Sequence, residues 1–164
     1  MSSFVRLSPR VVLVKGLNPG PFTLDGTNTY LVGTGPGKIL VDTGQGVPLY
    51  LQNLVAALDG TGAGFISKVL LTHWHVDHTG GLDDVRAMWP ALQCHKWLRR
   101  EAGSPNKLPL YGDALIGWDA PPWVSDILDG EVFSVEGATL EAHRTPGHAA
   151  DHVSFYLKEE GAGR

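Results

Sequence analysis

Three histidines and one aspartate crowd into six residues of Leu71-Thr72-His73-Trp74-His75-Val76-Asp77-His78-Thr79-Gly80-Gly81, directly after an apolar run. In extended backbone, side chains two residues apart point to the same side. His73 and His75 can therefore offer imidazoles to one ion as the chain leaves a strand. Asp77 and His78 follow where the chain must turn toward a glycine-started helix, and ligands collect at strand ends that feed helices. Imidazole and carboxylate without thiolate suit Zn, Fe, Mn or Ni, with zinc the first expectation in a cell. The strand fixes two of these side chains and the turn aims the other two elsewhere, so the pattern looks like one edge of a two-metal site.

A catalytic zinc takes three protein ligands and keeps a position open for water, so a residue elsewhere must complete the set begun by His73 and His75. His148 is the best candidate, because Thr145-Pro146-Gly147-His148 turns the chain at the end of a strand and displays a side chain at its tip. His152 reads either as a partner that holds a ligand imidazole or as packing. His95 and His143 fall within strand-like runs and read as structural, and Cys94 reads as a small buried hydrophobe. Asp42, in Val41-Asp42-Thr43-Gly44, can accept from turn amides or from a ligand histidine.

The elements that must position these groups are short. Val11 to Val14, Tyr30 to Val32, Ile39 to Val41 and Val69 to Leu71 read as strands, and Val47 to Leu58 has the apolar spacing of a helix stopped by Gly60. A second helix is expected from Gly81 to Met88, then a short strand over Leu92 to His95, and strands over Val132 to Val135, Thr139 to Arg144 and His152 to Leu157. Gly33 to Lys38 reads as a hairpin loop. A phosphate loop would need a glycine at Val32 and Ser or Thr at Ile39. Lys96 to Asp126, with four prolines and little periodicity, is expected to be a long surface loop. The order of elements describes an α/β or α+β layered domain over residues 1–164.

Composition narrows the function classes. With 43% hydrophobic and 18% charged residues and a net charge of −4, the chain is neither disordered nor a basic binder of duplex DNA. No apolar run approaches the length of a membrane span, and the single cysteine leaves no intramolecular disulfide, so a reducing, cytoplasmic setting is expected. No G-x-S-x-G elbow is present to support a serine hydrolase of that type.

The run His73-x-His75-x-Asp77-His78, the Asp42-Thr43-Gly44 turn before it and the Thr145-Pro146-Gly147-His148 turn after it resemble the metallo-β-lactamase superfamily, in the expected order. Asn18 to Val32 and Gly130 to Ala138 are similar to the branch of β-lactamase-like protein 2 endoribonucleases and fungal lactamase-like thioesterases that release polyketides from acyl carrier protein. The resemblance implies an αββα sandwich, with His73, His75 and His148 at a first zinc and Asp77 and His78 contributing to a second. A bridging aspartate and a later histidine of the family have no counterpart before Arg164, so the implied sandwich is incomplete, mainly its N-terminal half, and so is the second site.

Hydrolysis is the chemistry this implies. Water activated on the metal would attack an acyl thioester or related ester, with Asp77 orienting it and taking its proton. The expected partner is a small acyl substrate or an acyl carrier protein thioester in secondary metabolism, and Gly44-Gln45-Gly46 tilts the choice that way. A single-strand endoribonuclease and a catalytically impaired fragment are the alternatives. Weak turnover is expected of this chain alone.

Overall fold

The computed structural model describes residues 4–98 and 120–161. Strands β1 (Phe4–Arg6), β2 (Val11–Lys15), β3 (Asn28–Val32) and β4 (Gly37–Val41) run as an antiparallel meander. Helix α1 (Pro48–Gly60) then crosses over to β5 (Phe65–Leu71), which pairs in parallel with β4. A single turn α2 (Val76–Thr79) and helix α3 (Leu82–Met88) lead to β6 (Gln93–Lys96). Strand β7 (Val124–Asp126) closes a seven-stranded sheet in the order β1 to β7. β8 (Val132–Val135), β9 (Ala138–Arg144) and β10 (Val153–Leu157) form a second, antiparallel sheet, followed by the short turn α4 (Lys158–Gly161).

Period-two alternation in the central strands sorts their side chains between two cores. Leu40, Val69 and Leu71 face the helices, where Tyr50, Leu54, Ala57 and Leu58 of α1 and Leu82 and Val85 of α3 are buried. Ile39, Val41 and Leu70 face the other way, against Phe133, Leu140, Ala142 and Val153 of the second sheet. The central strands are thus covered on both faces and read as continuous apolar runs, as buried parallel strands do. The result is a helix–sheet–sheet stack within the α/β class expected of the chain. No helix among the described residues is long and apolar enough to cross a membrane.

The expected loop over Lys96 to Asp126 needs correcting at both ends. Lys96 is the last residue of β6, and Val124–Asp126 is β7, paired in parallel with it. Residues 99–119 of that stretch lie outside the described residues. Strand β7 is three residues long and preceded by Pro121 and Pro122, so periodicity had no length over which to show. The Gly33–Lys38 segment does join two antiparallel strands, and Lys38 turns its ammonium inward onto the Gly33 carbonyl at 2.6 Å.

Candidate metal centre

β4 and β5 lie side by side and end together, and everything at the centre grows from those two ends. Asp42 leaves β4 with φ 61°, a left-handed conformation that aspartate tolerates better than most residues. The turn after it packs directly on the start of α3. A Cβ at Gly81 would stand 2.1 Å from the Thr43 carbonyl oxygen, and one at Gly80 2.8 Å from that of Gln45. Only glycine permits this approach. It lets the Thr43 amide and hydroxyl donate to the His78 carbonyl at 2.8 and 2.9 Å.

Asp42, 3% exposed, binds three groups: the Thr72 amide (2.8 Å), the Thr72 hydroxyl (2.8 Å) and His78 Nδ1 (2.7 Å). Asp42 thus ties the residue that leaves β5 to the ring of His78. A threonine hydroxyl has one proton, and Thr72 gives it to the carboxylate, so Thr72 Oγ accepts from His73 Nδ1 at 2.9 Å. That relay fixes the His73 tautomer and leaves Nε2 with a free lone pair.

His73 Nε2 lies 2.8 Å from His75 Nδ1, and His148 Nε2 lies 3.0 Å from the same atom. All three nitrogens fall within 4.8 Å of one another. His73 is buried at 2% exposure after β5, His75 caps α2, and His148 reaches over from the exposed β9–β10 loop. One ring nitrogen cannot serve two neighbouring imidazoles with well-directed hydrogen bonds, whereas a cation satisfies all three lone pairs together. Ligands about 2.0–2.1 Å from a tetrahedral zinc stand roughly 3.3 Å apart, close to the spacing here. Burial and then the neighbouring histidines push His73 down to about 2, and burial followed by His148 lowers His75. Both are neutral near pH 7, the state a metal ligand requires.

Asp77 and His78 stand beside this triad rather than in it. Asp77 Oδ2 accepts from the Thr27 hydroxyl at 2.6 Å and faces His78 Nε2 at 3.2 Å. With Nδ1 donating to Asp42, a neutral His78 would turn a bare lone pair on that carboxylate, so a proton or a cation belongs between them. Burial lowers His78, but the Asp42 hydrogen bond and charge outweigh it and the net shift is upward. The His152 ring sits 5.2 Å from that of His73, with Nδ1 at 2.9 Å from the Thr145 hydroxyl. His143 is exposed on β9 beside Glu141, His95 packs on Phe133, and Cys94 is buried.

Sequence reasoning missed Thr27, Thr72, Lys96 and Asp151. Thr72 had a detectable signal, since a hydroxyl residue beside a ligand histidine is placed to bond its ring. Thr27 and the buried Lys96–Asp151 pair depend on long-range contacts that no local pattern encodes.

Comparison with known proteins places these features in context. A model of the metallo-β-lactamase superfamily matches residues 22–162. A lactamase-like protein of Pestalotiopsis microspora is 46% identical over 157 residues, covering 96% of this chain and 43% of the relative. A protein named atrochrysone carboxyl ACP thioesterase from Aspergillus novofumigatus is 44% identical, over 96% of this chain and 42% of its own length. The chain thus spans less than half the length of these relatives. Among solved structures, a subclass B3 metallo-β-lactamase of Bradyrhizobium japonicum superposes with a TM-score of 0.66 at 24% identity, covering 94% of this chain and 56% of the other. That likeness is one of fold.

Proposed function

The chain belongs to the metallo-β-lactamase superfamily, and from that premise we propose that it is the metal-binding part of a zinc-dependent hydrolase acting on acyl thioesters carried by an acyl carrier protein. The observation that carries the reading is the convergence of His73 Nε2, His75 Nδ1 and His148 Nε2. The thioester class is supported by relatives 43–45% identical to this chain that are named atrochrysone carboxyl ACP thioesterases.

In this reading His73, His75 and His148 hold the first ion, while Asp77 and His78 present a carboxylate and an imidazole toward a second. A divalent ion held there supplies positive charge that brings the pKa of a water from about 15.7 toward about 7 and polarises the carbonyl under attack. The protein supplies the rest. Thr27 holds the Asp77 carboxylate in one orientation, so that its other oxygen can align a water and take its proton. The exposed His148 loop leaves the centre open on one side to a substrate delivered on a carrier arm. As the new C–O bond forms the C–S bond breaks, releasing a carboxylic acid and the carrier thiol.

Elemental analysis of purified wild type and His73→Ala tests the metal. Bound zinc is expected in the first and its loss in the second, and unchanged stoichiometry overturns the ligand assignment. Hydrolysis of an acyl thioester alongside unstructured RNA, each with and without chelator, tests the substrate class. Chelator-sensitive cleavage of RNA alone would favour the endoribonuclease reading instead.

A further inference from the structure

A buried pair of opposite charges lies next to the centre without entering the chemistry above. Lys96 ends β6 at 4% exposure and Asp151 lies in the β9–β10 loop at 0%, with Lys96 Nζ donating to Asp151 Oδ2 and, at 3.2 Å, to the Trp97 carbonyl. Burial pushes the Lys96 ammonium below its usual range, and the Asp151 charge draws it partly back. The other carboxylate oxygen of Asp151 is buried with no hydrogen-bond partner among the described residues. Stability alone is a poor reason for such a pair, because apolar residues of similar volume are often as good or better. What an ion pair adds is a defined position.

The position concerned is that of His148. Asp151 follows it by three residues in a loop whose residues 145–148 are exposed. Among the described residues, only His148 and Asp151 of this loop extend side-chain hydrogen bonds to earlier parts of the chain. Lys96 is paired in register with Leu71, two residues before His73, so the anchor stands on the sheet edge that emits the other two imidazoles. A backbone bond from the Val153 amide to the Thr72 carbonyl at 2.9 Å ties the base of the loop to the same edge.

We propose that the Lys96–Asp151 ion pair is a positioning device for the metal centre, clamping the β9–β10 loop so that His148 Nε2 meets His73 and His75. The proposal rests on the reading of those imidazoles as ligands. It is tested by competing Zn2+ between a chromophoric chelator and the wild type, Asp151→Asn, Lys96→Met and the double variant Lys96→Met/Asp151→Leu, with thermal unfolding of each metal-free form measured alongside. Loss of one partner strands a buried charge and destabilises the fold, while the double variant removes both charges and retains the volume. Zinc affinity about ten-fold or more below wild type is expected in the folded double variant, the scale seen when groups that orient a ligand are lost. Wild-type affinity in that variant overturns the positioning role and leaves a pair that only supports folding. Absence of zinc binding by the wild type itself overturns the metal reading on which the proposal rests.

Discussion

His73 comes to the centre from the end of a central parallel strand, 2% exposed, with its ring held by Thr72 and Thr72 in turn by Asp42. His148 comes to the same point from a loop between two strands of the outer sheet, exposed, with its Nε2 3.0 Å from His75 Nδ1. One arm is rigid because its backbone sits in the core and a chain of hydrogen bonds from Asp42 through Thr72 holds its ring. The other is free to meet solvent and substrate, and its precision has to come from elsewhere in the fold. A hydrolase needs both properties, since ligands must be set before the ion arrives while the reacting group must still be able to enter and leave.

Removing each arm in turn is the most forceful way to break this comparison. His73→Ala is expected to abolish stoichiometric zinc, and with it at least about 100-fold of any thioesterase activity, because the fixed half of the centre is gone. His148→Ala is expected to retain weak zinc on His73 and His75, measurable by equilibrium dialysis at raised metal concentration. Equal losses in the two variants would mean that the arms contribute alike. A smaller effect sharpens the distinction. Thr72→Val keeps the shape of the side chain but cuts the link from Asp42 to His73, and a fall of roughly 10- to 100-fold in zinc affinity is expected. Thr145→Val, on the loop arm, removes the bond to His152 and is expected to change zinc affinity less than Thr72→Val does.

The rigid arm is also the part that the sequence makes legible. Strand β5 ends in the apolar run Val69 to Leu71, the histidines follow it at fixed spacing, and Gly80-Gly81 marks the start of the helix that packs on the Asp42 turn. Those features are local, so periodicity and turn chemistry carry them. His148 could be nominated from its Pro-Gly turn, but the distance to His75 depends on how the second sheet packs over Ile39, Val41 and Leu70. Lys96 reads as the start of a loop and Asp151 carries no local signal, since an ion pair between residues 55 apart leaves no trace in either neighbourhood. Strands β1 and β7, at three residues each, are too short to show alternation and owe their structure to the edges they join.

Proton linkage gives the finest test, because it follows one group of the rigid arm without touching the loop. With metal removed, His73, His75, His95 and His152 all have folded-state values lowered by burial, so below the ordinary histidine pKa of about 6.5 the unfolded chain binds protons that the folded chain refuses. Their contribution is present above that value and is lost as the pH falls. His78 works in the opposite sense. Its raised value stabilises the fold when protonated, and that contribution disappears as the pH rises through it. Four histidines against one predict a lower unfolding midpoint at pH 5 than at pH 7.5 for the metal-free wild type. In His73→Ala the most strongly shifted of the four is gone, so the drop between the two pH values should shrink. A drop of the same size in that variant would show that the rigid arm does not hold His73 in its neutral form against protonation.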